Sequence, residues 1–90
     1  MIRMMIRHGV RSYSKWRRAY NAFDRERRGM GVKGHAVYRN VSSSNDITVS
    51  HDFASLGAAR KFAGSRRLRE VMKGAGVRTK PMIWYVRRAK

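Results

Sequence analysis

The sequence contains no cysteine, one proline, only five acidic residues and no long hydrophobic run. The lack of cysteine excludes disulfides, thiolate zinc sites, iron–sulfur clusters and thiol catalysis. A chain of 90 residues builds a thin core, so we expect one domain, residues 1–90, completed by a partner subunit. No apolar run approaches the roughly 20 residues of a membrane span. We therefore expect a cytoplasmic protein with no membrane partner.

Positive charge is abundant, because 22 Lys and Arg against 5 Asp and Glu give a formal net charge of +17. This excess predicts nonspecific, salt-sensitive attraction to polyanions, since each neutralised phosphate releases counterions. A hydrophobic content of 42% indicates a folded domain and not a disordered basic tail. Residues 1–23 are rich in arginine and precede the first acid, Asp24, so a mitochondrial presequence is the alternative to a first strand and helix there.

The amino-terminal part begins with an alternating pattern and continues with a helical one. Residues 2–10 alternate apolar and polar side chains, which predicts a strand with one buried face. Ser14 is the predicted N-cap of a helix, because Trp16, Tyr20 and Phe23 follow at spacings that only a helix gathers onto one face. The Gly-Met-Gly segment that follows should end this helix.

Two extended stretches come next, residues 32–39 and 46–53. The segment 40–45 between them is rich in serine and asparagine, which predicts a hairpin loop and an antiparallel pair of strands. Two short helices should follow, capped by Ser55 and Ser65.

A last strand over residues 80–87 completes the order β-α-β-β-α-β, which is the α+β, ferredoxin-like plan with a four-stranded antiparallel sheet. Helices in this plan cover one sheet face, yet the strands carry large apolar groups on both faces, such as Met5 beside Ile6 and Trp84 beside Tyr85. Soluble monomers rarely expose an apolar patch of several hundred Å². We therefore predict a homodimer that packs sheet against sheet.

Nearly the whole chain resembles the dimeric α+β barrel proteins, in particular the small antibiotic biosynthesis monooxygenase-like or cyclase-like members. The most specific part is residues 53–77, FASLGAARKFAGSRRLREVMKGAGV, with its Ala-Arg-x-Phe helix and Ala-Gly-Val exit. Residues 13–16 (YSKW), 31–39 (GVKGHAVYR) and 81–85 (PMIWY) also fit. The resemblance implies a homodimer with a small apolar cavity between sheet and helices in each subunit.

The activity implied by the resemblance is broader, because such proteins include cofactor-free oxygenases, haem-degrading enzymes and cyclases. The haem-degrading branch carries a Trp where this chain has Phe62 and a haem-ligating His where it has Met72. Its first-strand Asn is also missing. We therefore do not expect haem degradation, and we predict no cofactor.

Histidines are the residues that titrate near neutral pH, and the chain has three. By the two-residue period, His8 and His51 share faces with apolar residues and can look into a cavity, whereas His35 lies beside Val37. We predict His51 and His8 as catalytic residues that deprotonate a phenol or enol, the step required by cofactor-free oxygenation or aldol cyclisation. The alternative is that these histidines are buried and purely structural.

Arg27 falls on the helix face of the aromatic stripe, where it either extends past the helix end or holds an anionic oxygen at a cavity mouth. Aromatic side chains at helical spacing are core residues first and stacking platforms second. The predicted substrate-binding residues are Trp16, Tyr20, Arg27, Tyr38, Phe62 and Met72. The histidines are too widely spaced for a metal motif, and we predict no metal site.

The sequence thus predicts a homodimeric barrel that binds a small apolar or aromatic ligand, as a cofactor-independent monooxygenase or cyclase acting on an aromatic or polyketide-like substrate. One alternative is a basic nucleic-acid-binding protein on the same fold, although the aromatic signature of RNA-binding sheets is absent from residues 47–53. The other is a non-catalytic protein of this family.

Overall fold

The computed structural model describes residues 1–89, so the last position of the predicted domain lies outside it. The order of elements confirms the predicted α+β pattern, with the first helical segment divided in two. The elements are β1 (Ile2–Gly9), α1 (Tyr13–Ala22), α2 (Asp24–Gly29), β2 (Gly34–Asn40), β3 (Ser43–Phe53), α3 (Leu56–Ala63), α4 (Arg66–Gly74) and β4 (Met82–Arg87).

The four strands form one antiparallel sheet in the order β2-β3-β1-β4, as a ferredoxin-like fold requires. In the register, Ile6 of β1 lies opposite Val49 of β3 and Ile83 of β4. Because side chains alternate along each strand, this register assigns every strand residue to one of two sheet faces.

The first helical segment differs from the prediction at its start and in its middle. Its N-cap is Ser12, whose hydroxyl accepts a hydrogen bond from the backbone N–H of Lys15, so the predicted cap at Ser14 is wrong. The helix also breaks at Phe23, which ends α1 and precedes α2. The break leaves the second helix only six residues long.

The hairpin between β2 and β3 is tighter than predicted, because β3 begins at Ser43 and not at residue 46. Asn40 pairs with Ser43, which leaves a turn of two residues. The extended strand carries Asn45 to the start of α1, where its side-chain oxygen accepts a hydrogen bond from the N–H of Tyr13. A segment predicted as loop therefore anchors a helix.

The two helices after β3 begin where the sequence predicts. The hydroxyls of Ser55 and Ser65 accept hydrogen bonds from the N–H groups of Ala58 and Leu68, three residues further on. Such caps satisfy backbone donors that have no partner within the helix. In residues 1–89, no helix is long and apolar enough to cross a membrane.

The two sheet faces differ. The covered face lies against the helices and carries the buried strand residues Ile2, Met4, Ile6, His8, Ile47, Val49, His51 and Phe53. The open face carries the alternate residues, with Met5 paired to Trp84 near its centre. Two ion pairs, Arg3 with Asp52 and Arg7 with Asp46, lie on this face.

Candidate functional site

A small cavity lies between the covered sheet face and the helices. Its volume is about 30 Å³, which is room for about two water molecules. Seven of the eight predicted site residues line it. These are His8, Trp16, Tyr20, Arg27, His51, Phe62 and Met72.

Tyr38 is the predicted site residue that does not line the cavity. It pairs with Thr48, which pairs in turn with Arg7 of β1, and so it lies on the open face, where 54% of it is exposed. The reason is the two-residue period, which points Tyr38 away from the face that carries Val37. Tyr38 therefore lies outside the cavity that the other predicted site residues line.

Tyr20 and His51 form a buried polar pair in the cavity wall. The Tyr20 hydroxyl lies 3.0 Å from Nε2 of His51, and both residues are less than a tenth exposed. A phenol is more acidic than a neutral imidazole N–H, so we assign the O–H as donor and Nε2 as acceptor. This assignment places the imidazole proton on Nδ1, which is buried and has no hydrogen-bond partner.

Burial keeps both members of this pair neutral. Desolvation, followed by the nearby charge of Arg27, lowers the pKa of His51 to about 3. Desolvation also raises the pKa of Tyr20 to about 12. At neutral pH His51 is therefore a weak base but a good neutral hydrogen-bond donor.

Arg27 closes the same end of the cavity and is only 1% exposed. Its guanidinium donates hydrogen bonds to the Tyr20 carbonyl and to the Asp24 carboxylate, the latter at 3.2 Å, and lies 3.6 Å from the centre of the Tyr20 ring. Nε has no hydrogen-bond partner. Burial lowers the pKa of Arg27, although so basic a group keeps its charge.

His8 occupies the other end of the cavity. Its ring centre lies 5.7 Å from that of Trp16, and its Nδ1 is buried without a partner. Burial lowers the pKa of His8 as well. His8 pairs with Ile47, four residues from His51, so the two histidines are about 13 Å apart along the sheet. They therefore cannot act on the same substrate atom.

Aromatic rings line the space between the two histidines. Trp16 stacks on Tyr20 with ring centres 4.9 Å apart, and Phe62 lies 5.2 Å from His51. Flat apolar walls with a few polar atoms are typical of sites for small molecules.

The wall formed by α4 is the thinnest part of the enclosure. Val71 and Met72 line the cavity but are partly exposed, and Leu68 is the buried residue of this helix. Met72 has a flexible side chain that adapts its shape readily. A ligand larger than two waters must displace this wall.

Several lining residues were not predicted as site residues. Phe23 was predicted as core alone, while Ile6, Val49, Leu68, Val71 and Ala75 carry no signal beyond apolar periodicity. Asp24 holds Arg27 and Arg28 together, and its i, i+3 and i, i+4 spacings were the available signal. No group of three His, Asp or Glu in the described part of the chain can hold a metal ion.

Sequence comparison finds no protein-family profile that matches the chain and no curated protein that matches it. Solved structures do match over nearly the whole length. An antibiotic biosynthesis monooxygenase superposes with a TM-score of 0.75 at 6% identity and covers 100% of both chains. A conserved protein from Methanosarcina mazei Go1 gives 0.75 at 14% identity, over 98% of this chain and 92% of the other.

A third match is SnoaB, a cofactor-independent oxygenase from Streptomyces nogalater, with a TM-score of 0.72 at 11% identity over 98% of this chain and 94% of that one. Identities this low establish the fold alone. They confirm the predicted resemblance at that level: the chain has the ferredoxin-like fold of antibiotic biosynthesis monooxygenase-like proteins.

Proposed function

We propose that the protein binds a small, mostly apolar molecule in this cavity and acts on it as a cofactor-independent monooxygenase or cyclase. The substrate class is an aromatic or polyketide-like phenol or enol. The observation that carries the proposal is the neutral His51, whose Nε2 is hydrogen-bonded to the Tyr20 hydroxyl. The Nδ1 of His51 has no hydrogen-bond partner in a cavity whose lining is mostly apolar. A buried polar atom without a partner is costly, which favours a ligand that supplies one.

In this proposal the Nδ1–H of His51 donates a hydrogen bond to the ligand oxygen, and His51 does not take the proton-accepting role predicted for it from the sequence. A neutral imidazole donor stabilises the negative charge that develops when an enolate or phenolate forms. The positive charge of Arg27 adds to this stabilisation. An enolate that reacts directly with molecular oxygen gives oxygenation. An enolate that attacks a carbonyl carbon of the same molecule gives cyclisation.

We assign the proton-accepting role to His8, at the opposite end of the cavity. The separation of about 13 Å between His8 and His51 suits an elongated ligand of several fused rings. Such a ligand enters by displacing the α4 wall at Val71 and Met72. Trp16, Tyr20 and Phe62 then supply its aromatic contacts.

We also propose that two copies pack through the open face. Trp84 and Val86 are 38% and 41% exposed there, and Arg3 and Arg7 are each paired with an aspartate. The strand residues that form these pairs therefore add no net charge to the centre of the face, although the whole chain carries +17. Two like copies repel each other less where their charges are balanced in this way.

Attraction to polyanions is proposed as a nonspecific property of the helical side. The exposed cations of α3 and α4 include Arg60, Lys61, Arg66, Arg69 and Lys73. Ferredoxin-like RNA-binding modules stack bases on the open sheet face, and here the arginines Arg3 and Arg7 of that face are paired with aspartates. Binding that disappears by about 200 mM salt is the expected result, and it marks counterion release alone.

The test of the catalytic proposal is oxygen consumption with anthrone, a tricyclic ketone that enolises to a phenol. We expect turnover by the wild-type protein and its loss in His51→Ala, with the oligomeric state unchanged. Tyr20→Phe should lower kcat about tenfold, because the hydroxyl that fixes the imidazole proton is removed. Tyr13→Phe removes a hydroxyl from the same helix outside the cavity and should leave kcat unchanged.

Anthrone turnover that is the same in His51→Ala and wild type would refute the role of His51. Binding of anthrone without oxygen uptake or ring closure would favour the non-catalytic alternative.

A further inference from the structure

A basin on the protein surface adjoins the cavity at Arg27. Its volume is about 600 Å³, and it is more open to solvent than the cavity. Its polar lining consists of Asp24, Arg27, Arg28, Lys33 and His35. Arg27 lines both spaces and so forms part of the wall between them.

The basin carries an excess of positive charge. Three cations and one carboxylate give it a formal charge of +2 with His35 neutral. Asp24 is shared, because one of its oxygens lies 3.2 Å from Arg27 and the other 2.9 Å from Arg28. Lys33 makes no salt bridge with any residue in the described range 1–89.

Arg27 is the most buried cation of this group, and its pairing is incomplete. It is only 1% exposed, its sole carboxylate partner is shared with Arg28, and its Nε has no hydrogen-bond partner. Burying a guanidinium without full pairing is costly. A second anion at this position would supply the missing partner.

The wall between basin and cavity is aromatic as well as cationic. The Tyr20 ring has the guanidinium of Arg27 at 3.6 Å and the His35 ring at 5.6 Å in an edge-on arrangement. Tyr20 also donates to His51 inside the cavity. A ligand that reaches from the cavity to the basin therefore passes an aromatic ring before it meets the cations.

We propose that the basin binds the carboxylate of the cavity's ligand, so that the substrate class is an aromatic carboxylic acid with its ring system in the cavity. Arg27, Arg28 and Lys33 hold the carboxylate by charge-assisted hydrogen bonds. This inference rests on the proposed function, since it assigns the anion to the same ligand. His35 pairs with His51 and therefore lies on the covered face. A dimer formed through the open face would leave the basin accessible.

The test compares three probes: 2-naphthoate, which has the aromatic rings and a carboxylate, 2-naphthol, which has the rings without the carboxylate, and acetate, which has the carboxylate without the rings. Binding is followed by calorimetry, and the histidine side-chain resonances of the intact protein report the location. We expect 2-naphthoate to bind at least about tenfold more tightly than 2-naphthol and to shift both His35 and His51. Acetate should bind far more weakly than either.

The double variant Arg28→Gln/Lys33→Gln should lower the affinity for 2-naphthoate about tenfold and leave that for 2-naphthol unchanged. The matched control is Arg18→Gln/Arg25→Gln, which removes two exposed charges outside the basin. It should leave the affinities for both probes unchanged.

Equal affinity for 2-naphthoate and 2-naphthol, with His51 shifted by both, would overturn this inference and leave the proposed function standing. An equal loss of naphthoate affinity in the two double variants would also overturn it, because the overall charge would then be the cause. If neither naphthalene probe shifts His51, the proposed cavity function itself fails.

Discussion

The two faces of the sheet are made by the same four strands but are completed in different ways. On the covered face, Met4 and Phe53 are fully buried under helices of the same chain. On the open face, Trp84 and Met82 remain 38% and 60% exposed. The apolar residues of the covered face are buried within the chain itself, whereas apolar residues of the open face stay exposed in a single chain.

The faces also differ in whether their polar groups have partners. The covered face contains His8 and His51, each with a buried ring nitrogen that has no partner. On the open face the charged groups are paired, with Arg3 2.8 Å from Asp52 and Arg7 2.7 Å from Asp46. Buried polar atoms without partners support the proposed ligand site on the covered face. The paired charges of the open face support the proposed contact between two copies there.

The largest expected difference between the faces is their response to acid. The pKa of His51 is about 3 when folded and about 6.5 when unfolded, so between these values only the unfolded state binds the proton. The free energy of unfolding should therefore fall as the pH drops from 6.5 toward 3, by up to about 5 kcal/mol for this group. Urea unfolding at a series of pH values measures this loss.

The open face should respond only at lower pH. The hydrogen bond from Arg7 lowers the pKa of Asp46 below its ordinary value of 3.8, so its contribution is lost only as the pH falls below that value. His51→Gln should reduce the dependence between pH 6.5 and 4, leaving the part due to the buried His8, whereas Asp46→Asn should not change it. An unchanged slope in His51→Gln would contradict a neutral, buried His51.

The second prediction removes the assembly surface without touching the site. Trp84→Arg introduces a charge at the centre of the open face, and we expect the dimer to dissociate at least about 100-fold more readily. Val41→Arg makes the same change at a fully exposed position in the turn and should leave the dimer intact. Light scattering across a concentration series measures both.

If Trp84→Arg remains a dimer at the wild-type concentration dependence, the assembly surface lies elsewhere. Ligand binding by the monomeric variant would show that the cavity is complete within one chain.

The smallest expected effect concerns the charge balance of the open face. Asp46→Asn leaves Arg7 unpaired and gives each copy one additional positive charge on that face. Exposed ion pairs contribute little to folding, so the stability of one subunit should change very little. The dimer should weaken several-fold, most at low salt.

Glu26→Gln is the control, because it removes an acid paired with Arg67 on the helical side. The same loss of dimer in both variants would mean that net charge acts, and not the balance of the open face.

Most of the secondary structure was predictable because it follows from local rules. The caps at Ser55 and Ser65 and the alternation of β1 and β3 are short-range patterns. The break at Phe23 and the early start of β3 were not predicted. Asn45 contacts the start of α1, which is 32 residues away in the sequence, and such a contact leaves no local pattern.

The candidate site was predictable in its membership and not in its arrangement. Periodicity placed His8, His51 and Tyr20 toward one cavity, and the structure does so. Tyr38 lies on the open face, because the two-residue period separates it from Val37 and His35 on the covered face. The separation of His8 and His51 along the sheet depends on strand register, which periodicity does not supply.

By itself, the sequence determined the order of elements, the two-faced character of the strands and the excess of positive charge, because composition and periodicity are properties of the chain. Only the tertiary structure decided that the Tyr20 hydroxyl lies against Nε2 of His51, that Arg27 lines both cavity and basin, and that two Arg–Asp pairs lie on the open face. Each of these depends on contacts between residues far apart in sequence, such as Tyr20 with His51 and Arg3 with Asp52. Folding alone brings such partners within hydrogen-bond distance.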